Sequence, residues 1–180
     1  LVLRRQRQMC IRDSNKRAIK TQRVWKNVKR GCTRRDWTIG IEIARKAMAT
    51  NLFVYGTLLV PKIWNAVTGY HNPKSVRGNL AGHRIQRVKA GDFPAIVIDP
   101  DSNESVSGLV IKNISPNALE RLDQYEDSFY ERVAVQVDTD SGTVEANVYR
   151  VPLGLAGKIL SEDPWTLEWF ETEALDRYWK

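Results

Sequence analysis

Leu52-Phe53-Val54-Tyr55 is an apolar run of strand-forming side chains, and Gly56-Thr57-Leu58 follows it directly. The pattern predicts a buried strand entering a turn. Just downstream, Pro61 to Val67 reads as a short helix opened by proline and ended near Gly69, with Ile63, Trp64 and Val67 facing inward. Ser75 to Val88 is strand-like but broken by Gly78 and Gly82, as in a curved or barrel-like sheet. Phe93 to Ile98 predicts a strand with Pro94 at its start. Asp99-Pro100-Asp101-Ser102-Asn103 is a turn before a strand over Val106 to Ile111, so these two strands are expected to form a hairpin.

Ser115-Pro116 supplies an N-cap and a first-turn proline for a helix through Ala118, Leu119, Leu122 and Tyr125. Val133, Val135 and Val137 alternate, as do Val144, Ala146 and Val148, on either side of Asp140-Ser141-Gly142, which predicts a half-buried hairpin. Pro164 to Trp179, rich in Trp165, Trp169, Phe170 and Tyr178, predicts a terminal helix packed on the sheet.

Working upstream, the charge changes sign at Met48. The whole chain of 180 residues carries 28 Lys and Arg against 21 Asp and Glu. Residues 1–47 hold 15 of those basic residues and 3 of the acidic ones, so residues 48–180 are net acidic. A basic isoelectric point therefore describes the leader alone, and nucleic-acid binding by the body is not expected. Three readings of residues 1–47 stand: a non-native segment, since Arg5-Gln6-Arg7-Gln8-Met9-Cys10-Ile11-Arg12-Asp13-Ser14 resembles translated adapter sequence; a disordered basic tail; or a targeting segment. The functional domain is expected over 48–180, with Met48 a plausible start. Cys10 and Cys32 both lie in the leader, so the body has no thiol for a disulfide, a zinc site or a nucleophile. No apolar run approaches membrane-spanning length, and a cytoplasmic protein is expected.

The chemistry-bearing residues are few. His71 and His83 lack metal-ligand spacing, no Gly-x-Ser-x-Gly elbow occurs, and His83 reads as structural. Glu126 lies four residues after Leu122 and seven after Leu119, on the inward stripe if the helix continues that far. A carboxylate there is a candidate acid/base. If the helix stops earlier, Glu126 is an exposed terminal acid or a partner of Arg132, and spacing leaves both readings open. Glu120, Arg121 and Asp123 read as solvated surface. The Tyr55-Gly56-Thr57-Leu58 turn lets a ligand approach backbone N–H groups, with the Thr57 hydroxyl beside them, or is an ordinary loop.

Taken in order, Phe53-Val54-Tyr55-Gly56-Thr57-Leu58, Gly91-Asp92-Phe93-Pro94-Ala95, Val106-Ser107-Gly108, Leu122-Asp123-Gln124-Tyr125-Glu126 and Tyr130-Glu131-Arg132 resemble the γ-glutamylcyclotransferase-like family, in the branch of γ-glutamylamine cyclotransferase and the avirulence-induced-gene-like proteins. The resemblance spans about Leu52 to Val151, and departs from the family where Asp127 replaces a frequent glycine. It implies an α+β fold, a small mixed β-barrel flanked by helices. It also implies that Tyr55, Gly56, Thr57 and Leu58 bind the substrate and that Glu126 shuttles the proton. The reaction implied is cyclisation of a γ-glutamyl amide to 5-oxoproline with release of an amine or amino acid, and it needs no cofactor and no metal. The expected partner is a small γ-glutamyl molecule, with neither nucleic acid nor membrane involved. The leaving group and the oligomeric state are not given by the sequence. The alternative is a non-catalytic binding or interaction protein on the same fold.

Overall fold

The computed structural model describes residues 50–89 and 91–178. The basic leader, the Met48 boundary and Trp179 lie outside the described residues. The elements are β1 (Thr50–Val54), a 3₁₀ turn (Thr57–Leu59), α1 (Pro61–Thr68), β2 (Ser75–Ala81), β3 (His83–Arg87), β4 (Pro94–Ile98) and β5 (Ser105–Ile114). They continue as α2 (Pro116–Tyr125), β6 (Glu131–Thr139), β7 (Gly142–Arg150), α3 (Leu153–Ile159), and a terminal helical segment of α4 (Leu167–Trp169), a π turn (Phe170–Ala174) and α5 (Leu175–Tyr178).

Five strands close a barrel in the order β1-β5-β2-β6-β7. β1 runs antiparallel to β5 and parallel to β7, the latter through Leu52 opposite Asn147, so the barrel is mixed. The period-two alternation of a strand explains why β1 is apolar throughout. Phe53 and Tyr55 enter the interior cluster with Val110, Val137 and Val148. Leu52 and Val54 face outward into a second cluster, built with Ile63 and Trp64 of α1, Leu122 of α2 and Phe170 of the terminal segment. Burying Phe53 stabilises the fold by about 1.5–3 kcal/mol. This is the α+β barrel with flanking helices that the sequence implies.

The helices start and stop on local chemistry. Pro61 opens α1, and the Gly69 N–H donates to the Asn65 carbonyl at its end. Ser115 caps α2, accepting from the Ala118 N–H at 3.3 Å, with Pro116 in the first turn. The Arg121 guanidinium of α2 reaches the Thr68 carbonyl and so satisfies the end of α1. β6 and β7 form the expected hairpin, Thr139 opposite Gly142 and Val137 opposite Val144. No helix of the described residues is long and apolar enough to cross a membrane.

Two expectations are corrected. β4 does not pair with β5: it pairs antiparallel with β3, from His83 opposite Ile98 to Arg87 opposite Pro94, in a separate two-stranded sheet. β5 instead fills the barrel between β1 and β2. Nearly all of β4 is buried, so its sequence has no polar alternation to specify a partner. The strand-like run is also broken only at Gly82; Gly78 stays within β2, opposite Gly108.

Gly108 is set by close approach, since a Cβ there would lie 2.3 Å from the Val54 carbonyl oxygen and 2.8 Å from the Phe53 ring. Gly108→Ala is expected to lower the unfolding free energy by about 1–3 kcal/mol, read from the urea midpoint at unchanged slope. Gly154→Ala in α3, where an added Cβ meets nothing within 4 Å, should instead stabilise by roughly 0.5–1 kcal/mol.

Candidate active site

The turn after β1 is shaped by what it must fit beneath. The Leu59 N–H donates to the Gly56 carbonyl at 2.9 Å and the Val60 N–H to the Thr57 carbonyl at 3.1 Å, which curls the chain into α1. A Cβ on Gly56 would stand 2.6 Å from Cγ of Pro94, so only glycine lets the turn lie against the start of β4. Pro94 is held from its other side, where the Tyr130 hydroxyl donates to its carbonyl at 2.7 Å.

α2 ends at Tyr125, and Glu126 is its C-cap, with extended backbone (φ −72°, ψ 142°) and its N–H still bonded to the Leu122 carbonyl at 3.0 Å. Its N–H bond and near-helical φ keep Glu126 in phase with Leu122 and Leu119, while its ψ turns only the following chain away from the helix. Arg132 forks onto Asp123, Nε to Oδ1 at 2.8 Å and a terminal nitrogen to Oδ2 at 3.3 Å. Glu126 lines a pocket together with Tyr55, Gly56, Thr57 and Leu58. All five residues singled out in the sequence thus meet at one cavity. Phe53, Phe93, Pro94, Tyr130 and Tyr149 supply further walls, and the cavity encloses about 370 Å³ counting its open mouth. Among the described residues that line it, Glu126 is the one carboxyl and no Lys or Arg is present.

Two buried phenols frame the site. The Tyr55 hydroxyl donates to the Tyr149 carbonyl at 2.7 Å and accepts from the Ile96 N–H at 3.4 Å. Burial pushes this phenol well above its ordinary value, the charge of Glu126 pushes it further, and the Ile96 N–H opposes both. The Tyr55 hydroxyl proton is thus committed to the frame, and what Tyr55 offers the cavity is its ring and backbone. The Tyr149 hydroxyl donates to Oδ1 of Asp123 at 2.6 Å. Burial again raises its pKa most, followed by the Asp123 hydrogen bond and the charges of Asp123 and Glu126, with Arg132 opposing. Glu126 is within electrostatic reach of both phenols.

Asp123 is exposed, as the sequence reading has it, and is also a structural anchor of the site. It ties the end of α2 to β7 through Tyr149 and to β6 through Arg132. Tyr149 carried a faint signal, following Val144, Ala146 and Val148 in the opposite phase of β7. His83 is buried, with Nδ1 2.9 Å from the Ala81 carbonyl, and does not line the cavity.

The phenols make stability fall in alkali. Each is protonated in the fold well above pH 10, whereas an unfolded tyrosine ionises near 10, so the unfolded chain binds fewer protons above that point. Their contribution is present below about pH 10 and is lost as pH rises beyond it. Tyr149→Phe is expected to show a shallower loss of urea midpoint between about pH 9 and pH 11 than the unsubstituted chain. At neutral pH the same variant should be less stable by about 1–2 kcal/mol, for the lost bond to Asp123.

Comparison with known proteins shows what this fold is similar to. AIG2-like protein C of Arabidopsis thaliana is 36% identical over 89 residues, 49% of this chain and 50% of that protein. AIG2-like protein B of the same plant is 31% identical over 102 residues, 57% of this chain and 58% of that protein. The chain spans about half the length of the curated relatives it matches. A solution structure of an Arabidopsis thaliana protein superposes with a TM-score of 0.56 at 25% identity, covering 73% of this chain and 86% of that one. A solved gamma-glutamyl cyclotransferase shares the fold, with a TM-score of 0.50 at 18% identity, over 57% of this chain and 66% of that one. The family model for gamma-glutamyl cyclotransferase, AIG2-like, matches residues 52–167, a stretch that holds all of the barrel but the first two residues of β1, together with the turn after β1 and Glu126. This chain belongs to that gamma-glutamyl cyclotransferase, AIG2-like family.

Proposed function

We propose that the chain cyclises a γ-glutamyl amide to 5-oxoproline and releases the amine. The observation that carries this reading is the convergence of the Glu126 carboxyl with the Gly56–Leu58 turn in one small cavity. The first N–H groups of such a turn have no carbonyl inside it to bond, so they are available as donors to a developing oxyanion.

Glu126 takes a proton from the substrate's α-ammonium. The freed α-nitrogen attacks the γ-carbonyl carbon of the same molecule and closes a five-membered ring. The oxygen gains negative charge next to the turn. Collapse breaks the amide C–N bond, and the departing nitrogen receives its proton back from Glu126. A second proton lost by the ring nitrogen converts the departing amine to its ammonium form, so protons balance and no redox partner is needed. One carboxyl serves as base and then as acid. Because attacker and electrophile share a molecule, the cavity's main task is to hold the substrate folded. Thr57 and Leu58 are assigned to the α-amino-acid end, as is the backbone of Tyr55 and Gly56. The family description supports this reaction class, and the identity of the released amine belongs to the experiment.

The test is incubation of the chain with a panel of γ-glutamyl amino acids and γ-glutamyl amines, following 5-oxoproline by mass spectrometry. Glu126→Gln, nearly isosteric but unable to take the proton, is expected to lower kcat/KM by about 100-fold or more with little change in thermal unfolding. Full activity in Glu126→Gln would remove the acid/base role. No 5-oxoproline across the panel from folded protein would leave a binding protein on this fold.

A further inference from the structure

We propose that Tyr178, on the terminal helix, is a positioning residue for the site and acts through Tyr125 on the Thr57 hydroxyl. Neither Tyr178 nor Tyr125 lines the cavity, whereas Thr57 does. Oγ1 of Thr57 is 3.4 Å from the Tyr125 hydroxyl, and that hydroxyl is hydrogen-bonded to the Tyr178 hydroxyl. The three hydroxyls form one chain from the far side of α2 into the cavity wall. Thr57 and Tyr125 are both buried, so the orientation of each hydroxyl depends on the next protein group rather than on water.

The ring of Tyr178 is fixed independently of its hydroxyl. It packs edge-on against Phe170 with centroids 5.2 Å apart, and against Phe93 at 6.4 Å. Phe170 is fully buried, and Phe93 is itself a cavity wall. The neighbouring residue, Arg177, forks onto Asp92 at 2.7 and 3.2 Å, and Trp165 Nε1 donates to the Asp92 carbonyl at 3.0 Å. The terminal segment therefore grips the chain next to Phe93, while Tyr178 reaches Thr57, a second lining residue, through Tyr125. The π turn at Phe170–Ala174 bears on this arrangement. A π turn carries one residue more than an α turn, so α5 emerges rotated by about 100° from the phase an unbroken helix would have. That rotated phase is the one in which Tyr178 meets Tyr125. Tyr178 also lies beyond residues 52–167, the stretch matched by the family model, so this support is supplied from outside the shared region.

The kinetic part of the test rests on the cyclotransferase reading, and the exchange part does not. In the full chain, Tyr178→Phe, Thr57→Val and the double variant are compared for KM and kcat on whichever γ-glutamyl compound of the panel is turned over. Backbone hydrogen exchange of residues 56–60 is measured by mass spectrometry on the same proteins. Tyr178→Phe keeps the ring packing and removes only the hydroxyl; Tyr125→Phe is the second variant that breaks the same chain. Tyr178→Phe is expected to raise KM about 3- to 10-fold with kcat changed less than about 2-fold, and to raise it no further in the Thr57→Val background. It is also expected to speed exchange at 56–60 when Thr57 is intact but not in the Thr57→Val background. A purely structural role for Tyr178 would give effects that multiply in both backgrounds, and that result, or unchanged KM and exchange, overturns the proposal. If the unsubstituted chain makes no 5-oxoproline, the functional reading fails and the exchange cycle alone decides the coupling: background-dependent exchange upholds it, identical exchange overturns it.

Discussion

A buried phenol has to find an acceptor, and for Tyr55 that acceptor is the carbonyl of Tyr149 on β7. Leaving the hydroxyl unmet would cost about 1–3 kcal/mol, a large part of a domain's net stability. The bond also closes the barrel. β1 and β7 are joined in the ladder through Leu52 and Asn147, and the Tyr55 hydroxyl continues that seam beyond the last residue of β1, to the point where the chain turns. The same Tyr149 sends its own hydroxyl to Asp123, beside the end of α2. One residue of β7 thereby sets both the turn after β1 and the helix end that carries Glu126. Their meeting in one cavity follows from a single buried tyrosine with two polar ends, which is why the frame around the site is stiff at positions that touch no substrate.

The opposite wall depends on steric approach. Pro94 can lie over the turn because position 56 has no side chain, and Tyr130 fixes Pro94 by its carbonyl. Proline opens β4 without a donor to leave unsatisfied, in keeping with its place at a strand's first residue. Aromatic and aliphatic side chains share these walls with Thr57, the turn and Glu126. Burial is the main cause that raises the pKa of Tyr55 and Tyr149, and the charge of Glu126 adds to it.

How far the sequence could be read depended on whether the signal was local. Pro61 and Gly69 bracket α1, Ser115-Pro116 opens α2, and the alternation of Val133 to Val137 against Val144 to Val148 builds the β6–β7 hairpin, each a matter of a few adjacent residues. The partner of β4 was not local. A turn signal at Asp99 to Asn103 suggested pairing across it, but the Asp99 N–H bonds back to the Gly82 carbonyl, which anchors β4 to the corner between β2 and β3. At the site, the five residues named from the sequence converge, and Glu126 does so from the last position at which the helical phase still holds. The hydrogen-bond pairings of Asp123, Tyr149, Tyr125 and Tyr178 were not legible because each joins a partner distant in sequence, and no periodicity records such a pairing.

The cap position of Glu126 carries meaning of its own. A helix C-terminus is the negative end of the peptide dipole and disfavours a carboxylate by about 0.3–1 kcal/mol. Neighbouring Asp123 avoids that cost by pairing with Arg132 and Tyr149. Glu126 lines the cavity, where its charge adds to burial in raising the pKa of the two phenols. Local helix chemistry would favour Lys, Asn or Gly at that position. A carboxyl held there, against the preference of the helix end and beside a turn whose first N–H groups are unused by the turn itself, is the kind of local conflict that folds tolerate at functional sites. That conflict, more than the shape of the cavity, is what favours the proposed proton-moving role over a site that only holds a ligand.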